Sequence, residues 1–152
     1  MGLFVVRHGK AGQRDAWDGP DHLRPLSRAG RAQSEGLATW LVHEAVSRIL
    51  SSPATRCVQT VQPLAGKLGL EVEVVEGLNE AMPFEPALEL MRALPDSSVL
   101  CSHGDLIQDL MEALTRRGTI VEGAADWRKG STWVLEREDG VVVRAHAVPP
   151  PL

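Results

Sequence analysis

The 152-residue sequence holds only two cysteines, Cys57 and Cys101. Two are too few for a disulfide framework, and their separation does not match a metal-ligand pair. They are expected to be reduced thiols in a cytoplasm, packed as small core residues. Neither opens the Cys-x5-Arg loop of thiol phosphatases, because Pro63 and Ile107 stand where the arginine should be. No apolar run approaches the length of a membrane span. The N-terminus lacks the basic stretch and long apolar region of a secretory signal. A cytoplasmic protein without a membrane partner is expected. A basic excess is also missing: the net charge is -4 at pH 7, which argues against nucleic acid as a bulk partner. A local basic pocket for a small anion is still allowed. There is no internal repeat, low-complexity segment or interdomain linker. These features predict one domain over residues 1–148. Pro149, Pro150 and Pro151 cannot join a helix or a central strand, so residues 149–152 read as a loose tail.

Apolar runs of strand length recur at Leu3–Val6, Ile49–Ser51, Val72–Val75 and Val99–Cys101. Segments with helical spacing separate them. The first carries Ala29, Ala32, Leu37, Trp40, Leu41 and Ala45 near one face, with Ser27 as its N-cap. The second opens with Ser52 as N-cap and Pro53 at the first helical position, and Gly69 closes it. Pro63 inside it costs a backbone hydrogen bond. A third runs from Phe84 to Leu94, and a fourth starts at Asp105 as N-cap. After Gly118 the pattern turns β-rich. Ser131–Arg137 and Val141–Ala147 flank Glu138-Asp139-Gly140, a hairpin whose Asp-Gly turn takes positive φ angles. Strands alternating with helices predict an α/β fold, a three-layer αβα sandwich around a mostly parallel sheet with a C-terminal β-hairpin.

In such sheets, ligands bind beyond the carboxyl ends of the strands. Three strand exits carry chemistry. The first strand runs into Arg7-His8-Gly9-Lys10, and the fourth into Ser102-His103-Gly104. Each histidine is followed by a glycine that permits a tight turn or a close ligand. The third exit, Ser51-Ser52-Pro53-Ala54-Thr55-Arg56, puts Arg56 in the first turn of a helix, where free N–H groups favour an anion. Arginine forks match phosphate oxygens. Arg7, His8, Arg56 and His103 gathered together predict a site for a tetrahedral oxyanion, most plausibly a phosphoryl group. His22, His43 and His146 lack such a setting and read as surface or structural residues. Lys10, Arg24 and Lys129 are candidates for an outer basic rim, with Lys10 foremost because it directly follows the pocket. Arg14 reads as an exposed solubilising charge. Trp133 reads as a hairpin core residue.

With these blocks the sequence resembles the histidine phosphatase superfamily, the phosphoglycerate-mutase-like branch 1. The resemblance rests on Val6-Arg7-His8-Gly9, Arg24-Pro25-Leu26-Ser27 with Gly30, Ser51-Ser52-Pro53-Ala54-Thr55-Arg56 with Gln59-Thr60, and Ser102-His103-Gly104. The short chain is similar to SixA-type phosphohistidine phosphatases. It is also similar to the phosphatase domain fused to Nudix domains in some bacterial nucleotide hydrolases, through Arg7–Gly12, Arg56–Val61 and Lys129–Leu135. The resemblance implies a phosphoric monoester hydrolase working through a phosphohistidine on His8. Arg7, Arg56 and His103 would hold the phosphoryl oxygens, with Gly9, Lys10, Arg24, Gly104 and Lys129 around them. Glu80, after the third strand, is the candidate proton donor to the leaving group, with Glu76 and Glu85 as rivals. No metal or other cofactor is expected, because cationic side chains supply the positive charge. The expected substrate is a phosphomonoester, phosphoramidate or nucleotide phosphate, carried on a small molecule or as phosphohistidine on a protein. The alternatives are a phosphoryl-binding module without turnover and, less favoured, a phosphoglycerate-type mutase.

Overall fold

The computed structural model describes residues 2–151. Met1, where the expected domain begins, and Leu152, where the expected tail ends, lie outside the described residues. Seven strands form one sheet: β1 (Gly2–Arg7), β2 (Ile49–Ser51), β3 (Val72–Val74), β4 (Ser98–Ser102), β5 (Ile120–Glu122), β6 (Thr132–Glu138) and β7 (Val141–Val148). Four helices accompany them: α1 (Arg28–Leu41), α2 (Thr55–Leu68), α3 (Phe84–Ala93) and α4 (Gly104–Arg116). The strand order is β3-β2-β4-β1-β6-β7-β5. β1, β4, β2 and β3 pair in parallel, as do β5 and β7, whereas β6 is antiparallel to both β1 and β7.

Strand side chains alternate between the two faces, and this alternation sorts the core into two layers. Phe4, Val6, Ile49, Val99 and Cys101 pack with Leu37, Leu41, Val61 and Leu64 of α1 and α2. Leu3, Val5, Leu50 and Leu100 pack with Met91, Leu106, Leu110 and Leu114 of α3 and α4. Each fully buried leucine contributes roughly 1.5–3 kcal/mol by leaving water. Both cysteines are free and buried in the first layer, and Trp133 is buried in the second.

Several local expectations are corrected. Ala45 lies beyond α1 with φ 53°, and Ala29 and Ala32 are exposed. The helix instead turns Gly30, Gln33, Ser34, Leu37, Ala38 and Leu41 inward, because Gln33 is drawn by backbone partners of the β1 exit. Ser27 does cap α1, its hydroxyl accepting from Gly30 N at 3.2 Å. Ser52 does not cap α2: the cap is Ala54, and the Ser52 hydroxyl accepts from Ala54 N at 3.2 Å. The helix passes through Pro63 and ends at Gly69 in the left-handed region, φ 67°. Asp105 lies inside α4, whose N-cap is His103. The strand β5 carries too short an apolar run to stand out in the sequence. The hairpin turn has φ 52° at Asp139 and 78° at Gly140, the pair of positive angles that an Asp-Gly turn supplies. The tail is not loose throughout: Pro151 packs so closely on α1 that a Cβ at Gly36 would fall 2.4 Å from its Cβ.

Gly30 fixes how α1 meets the β1 exit. A Cβ there would lie 1.9 Å from the carbonyl oxygen of Lys10, a backbone atom that cannot swing aside. Gly30→Ala is therefore expected to cost about 1–3 kcal/mol in urea unfolding. Gly66→Ala, on α2 with nothing within 4 Å of its added methyl, should stabilise by about 0.5–1 kcal/mol. Equal effects of the two would contradict this packing.

Candidate active site

Register brings the three strand exits level. Val6 is paired with Cys101, Arg7 with Ser102, and Cys101 with Ser51. The chain therefore leaves β1, β4 and β2 at one edge, with the β3 exit beside them. His8 N donates to Ser102 O at 3.1 Å and Ser52 N to Cys101 O at 3.0 Å, extending the ladder one residue past the strands. Here Arg7, His8, Arg14, Arg24, Arg56, Glu80, His103, Gly104, Asp105 and Lys129 line a polar cleft of about 260 Å³.

His8 is 5% exposed. Its Nδ1 lies 2.8 Å from the carbonyl oxygen of Gly9. A carbonyl only accepts, so Nδ1 carries the proton, and the neutral ring keeps its lone pair on Nε2. Burial is the largest force on its titration and disfavours the imidazolium. The bond to Gly9 O opposes this, and His103, Arg56 and Arg7 reinforce it, pulling the pKa down to about 3. The neighbouring cations add to the effect, but burial leads.

The two imidazoles meet edge to face, with ring centroids 5.4 Å apart. His103 Nε2 lies 2.8 Å from Ser52 Oγ and 3.5 Å from Cys57 Sγ. Ser52 Oγ already accepts from Ala54 N, so its own proton is free for His103 Nε2. Arg7 lies across Gly104, where a Cβ would fall 2.8 Å from its Cζ, and its Nη1 donates to Trp127 O. Arg56 is 1% exposed. Its Nη1 donates to Asp21 O at 3.0 Å, and its Nη2 lies 3.3 Å from both Asp21 Oδ2 and Glu80 Oε1. Among the described residues, the buried Arg7 Nε, Arg56 Nε and His103 Nδ1 have no hydrogen-bond partner. Buried polar atoms are mostly paired; two guanidinium N–H groups and one imidazole nitrogen without a partner beside one cleft suit a multivalent oxyanion.

Residues to which the sequence assigned no place in the site hold this frame. Thr60 Oγ1 accepts from Gly9 N at 2.9 Å and donates to Arg56 O at 2.7 Å. Gln59 Oε1 accepts from Leu26 N. Gln33 accepts from Lys10 N and donates to Lys129 O. Gly130 N donates to Arg7 O and His8 O. Asp105 Oδ2 accepts from Ala81 N at 2.8 Å, which pins the loop carrying Glu80. Glu80 Oε2 lies 3.8 Å from His103 Nδ1.

The basic rim is ordered differently from the expectation. Arg24 and Lys129 line the cleft, and so does Arg14, in contrast to its expected place as an exposed solubilising charge; Lys10 does not. Lys10 contributes its backbone, with N on Gln33 and O on Ser27, so adjacency in sequence does not carry its side chain inward. Gly9 likewise serves through its backbone rather than as cleft lining. Lys129 has its pKa lowered, first by burial and then by Arg7, Arg24, Arg56 and Arg14.

The fold and the site define an α/β sandwich domain with a cationic cleft at the carboxyl edge of its sheet, suited to an anion. The family model of the histidine phosphatase superfamily (branch 1) matches residues 3–85, and the chain belongs to that superfamily. It is 35% identical over 155 residues to an 8-oxo-(d)GTP phosphatase of Mycolicibacterium smegmatis, covering 98% of this chain and 48% of the relative. The chain thus spans about half the length of that curated relative. Its fold is similar to the protein histidine phosphatase SixA complexed with tungstate, with TM-score 0.76, 22% identity and coverage of 99% and 96% of the two chains. It is also similar to a mycobacterial glucosyl-3-phosphoglycerate phosphatase complexed with VO3, with TM-score 0.66, 19% identity and 99% coverage of each. No helix among the described residues is long and apolar enough to cross a membrane.

The lowered pKa of His8 has a consequence for stability. The unfolded chain takes up a proton near 6.5 and the folded chain only near 3. Stability from this group is thus complete above about pH 6.5 and is lost as pH falls from 6.5 towards 3, by up to about 5 kcal/mol. Urea unfolding of wild type and His8→Gln from pH 7 to 4 should show wild type losing stability relative to the variant. A constant difference would contradict the buried neutral imidazole.

Proposed function

We propose that this chain is a phosphatase domain in which His8 Nε2 attacks phosphorus. The observation that carries the reading is the unpaired trio of Arg7 Nε, Arg56 Nε and His103 Nδ1 beside a neutral His8. A phosphoryl group seated there would give all three an acceptor. The Nε2–P bond forms as the bond from phosphorus to the leaving oxygen breaks, and charge on the phosphoryl oxygens falls on donors already in place. Water then attacks phosphorus, the P–N bond breaks, and His8 returns neutral with inorganic phosphate released. Glu80, within reach of Arg56 and His103, is the group available to protonate the leaving oxygen and to take the proton of the incoming water.

Arg14 and Lys129 exceed what one phosphoryl group needs. Together with the mycobacterial relative's name as an 8-oxo-(d)GTP phosphatase, they favour a nucleotide carrying more than one phosphoryl group over a simple monoester.

Phosphate release from p-nitrophenyl phosphate and from nucleoside di- and triphosphates, measured with a chelator present, tests this. Wild type is expected to turn over, to trap an acid-labile phosphoprotein on rapid quench, and to lose activity on the order of 10³-fold or more in His8→Ala. Arg14→Ala and Lys129→Ala should raise KM for a nucleoside diphosphate more than for the aryl ester. Absence of release from every compound would leave a binding module; equal KM changes would remove the second-phosphoryl assignment.

A further inference from the structure

The Asp21 carboxylate meets three guanidiniums. Its Oδ1 lies 3.1 Å from Arg24 Nε and 3.3 Å from Arg14 Nε, and its Oδ2 lies 3.3 Å from Arg56 Nη2. Its backbone oxygen accepts from Arg56 Nη1 at 3.0 Å. One residue thus grips both terminal nitrogens of the Arg56 fork from two directions. A planar guanidinium held at two corners cannot rotate about its own bonds, so the free Nε–H edge has a fixed heading. Asp21 itself is fixed from behind. It opens a short 3-10 turn, Asp21–Leu23. The adjoining Arg24 is anchored by Nη1 on Gly12 O at 2.5 Å. Burial works against ionisation of Asp21, but the hydrogen bond from Arg24 and the charges of Arg56, Arg24 and Arg14 prevail and hold its carboxyl below the usual range.

We infer that Asp21 is a positioning residue: it holds the Arg56 guanidinium so that the free Nε–H edge serves the reacting phosphoryl group, and it keeps Arg14 and Arg24 gathered at the cleft mouth. This rests on the proposed phosphatase reading, and it separates two effects of the carboxylate. As a negative charge among cations, Asp21 lowers the general attraction of the cleft for anions. As a clamp, it orients a donor whose contact counts most in the transition state, where a misplacement of an ångström is costly. Losing it should therefore hurt turnover without hurting ground-state binding.

The test is Asp21→Asn, which keeps the backbone oxygen and side-chain shape and removes the charge. With p-nitrophenyl phosphate, kcat should fall roughly 10–100-fold while KM stays equal or drops. Inhibition by orthovanadate, a transition-state mimic, should weaken relative to inhibition by orthophosphate. In an Arg56→Ala background, Asp21→Asn should add less than about a twofold further loss, because the two act as one unit. A rise in KM with kcat intact, an unchanged vanadate-to-phosphate ratio, or losses that multiply independently of Arg56 would overturn the assignment. A merely structural role would lower the unfolding midpoint and leave that ratio unmoved. Should wild type prove inert on every substrate, the proposed activity falls, while the affinity ratio of the two anions, read by calorimetry, still decides the role of Asp21.

Discussion

Parallel pairing of β1 with β4 and of β4 with β2 is the constraint on which the site depends. The ladders are in register to their last residues, Arg7 with Ser102 and Ser51 with Cys101. A slip of one residue would turn every strand side chain to the opposite face. It would send Phe4 and Val6 away from α1 and α2 and separate His8 from His103. Core packing and cleft geometry are therefore specified by the same alternation. Leu3, Val5, Leu50 and Leu100 on one face and Val6, Ile49 and Cys101 on the other exclude every one-residue slip that would expose both sets.

What the register sets at the backbone, hydrogen bonds finish at the side chains. His8 has its Nδ1 proton directed to Gly9 O, and His103 faces Ser52 through Nε2. Each ring thus has one nitrogen tied to the scaffold. Thr60 joins the two exits that carry His8 and Arg56, so the proposed nucleophile and the proposed oxyanion donor would share a support. Holding unpaired donors in a buried site costs stability. That cost is met by the surrounding core, and in return little reorganisation is needed when an oxyanion arrives.

Much of this was legible in the sequence, because the informative residues sit where the chain is most regular. An apolar run, then a charged residue, then a glycine marks a strand exit whatever the tertiary fold, and two His-Gly exits plus an arginine-bearing helix start pointed to one edge. The helix caps were less legible. Ser52 looked like an N-cap, yet its hydroxyl serves His103, a partner 51 residues away that local spacing cannot reveal. Asp105 looked like a cap for the same local reason, yet it holds the Glu80 loop. The face of α1 was misread because Gln33, a polar residue, is buried by bonds to Lys10 and Lys129 rather than by apolar packing. Adjacency in sequence favours Lys10 for the rim and nothing local marks Arg14, whereas the cleft selects by side-chain direction. Only the fold of the 12–24 segment reveals that Asp21 faces three arginines.

That last point bears on how a cleft with five cations can exist in a chain of net charge -4. Like charges at these distances repel, and the depressed pKa of Lys129 records that repulsion together with burial. Asp21, Glu80 and Asp105 provide the compensation at different depths. Asp105 spends its Oδ2 on a backbone N–H. Asp21 and Glu80 meet Arg56 at its terminal nitrogens, leaving its Nε–H edge unclaimed. The carboxylates thus neutralise the cluster without occupying every donor edge. A positive potential remains beside His8, where a phosphoryl oxygen would complete the set.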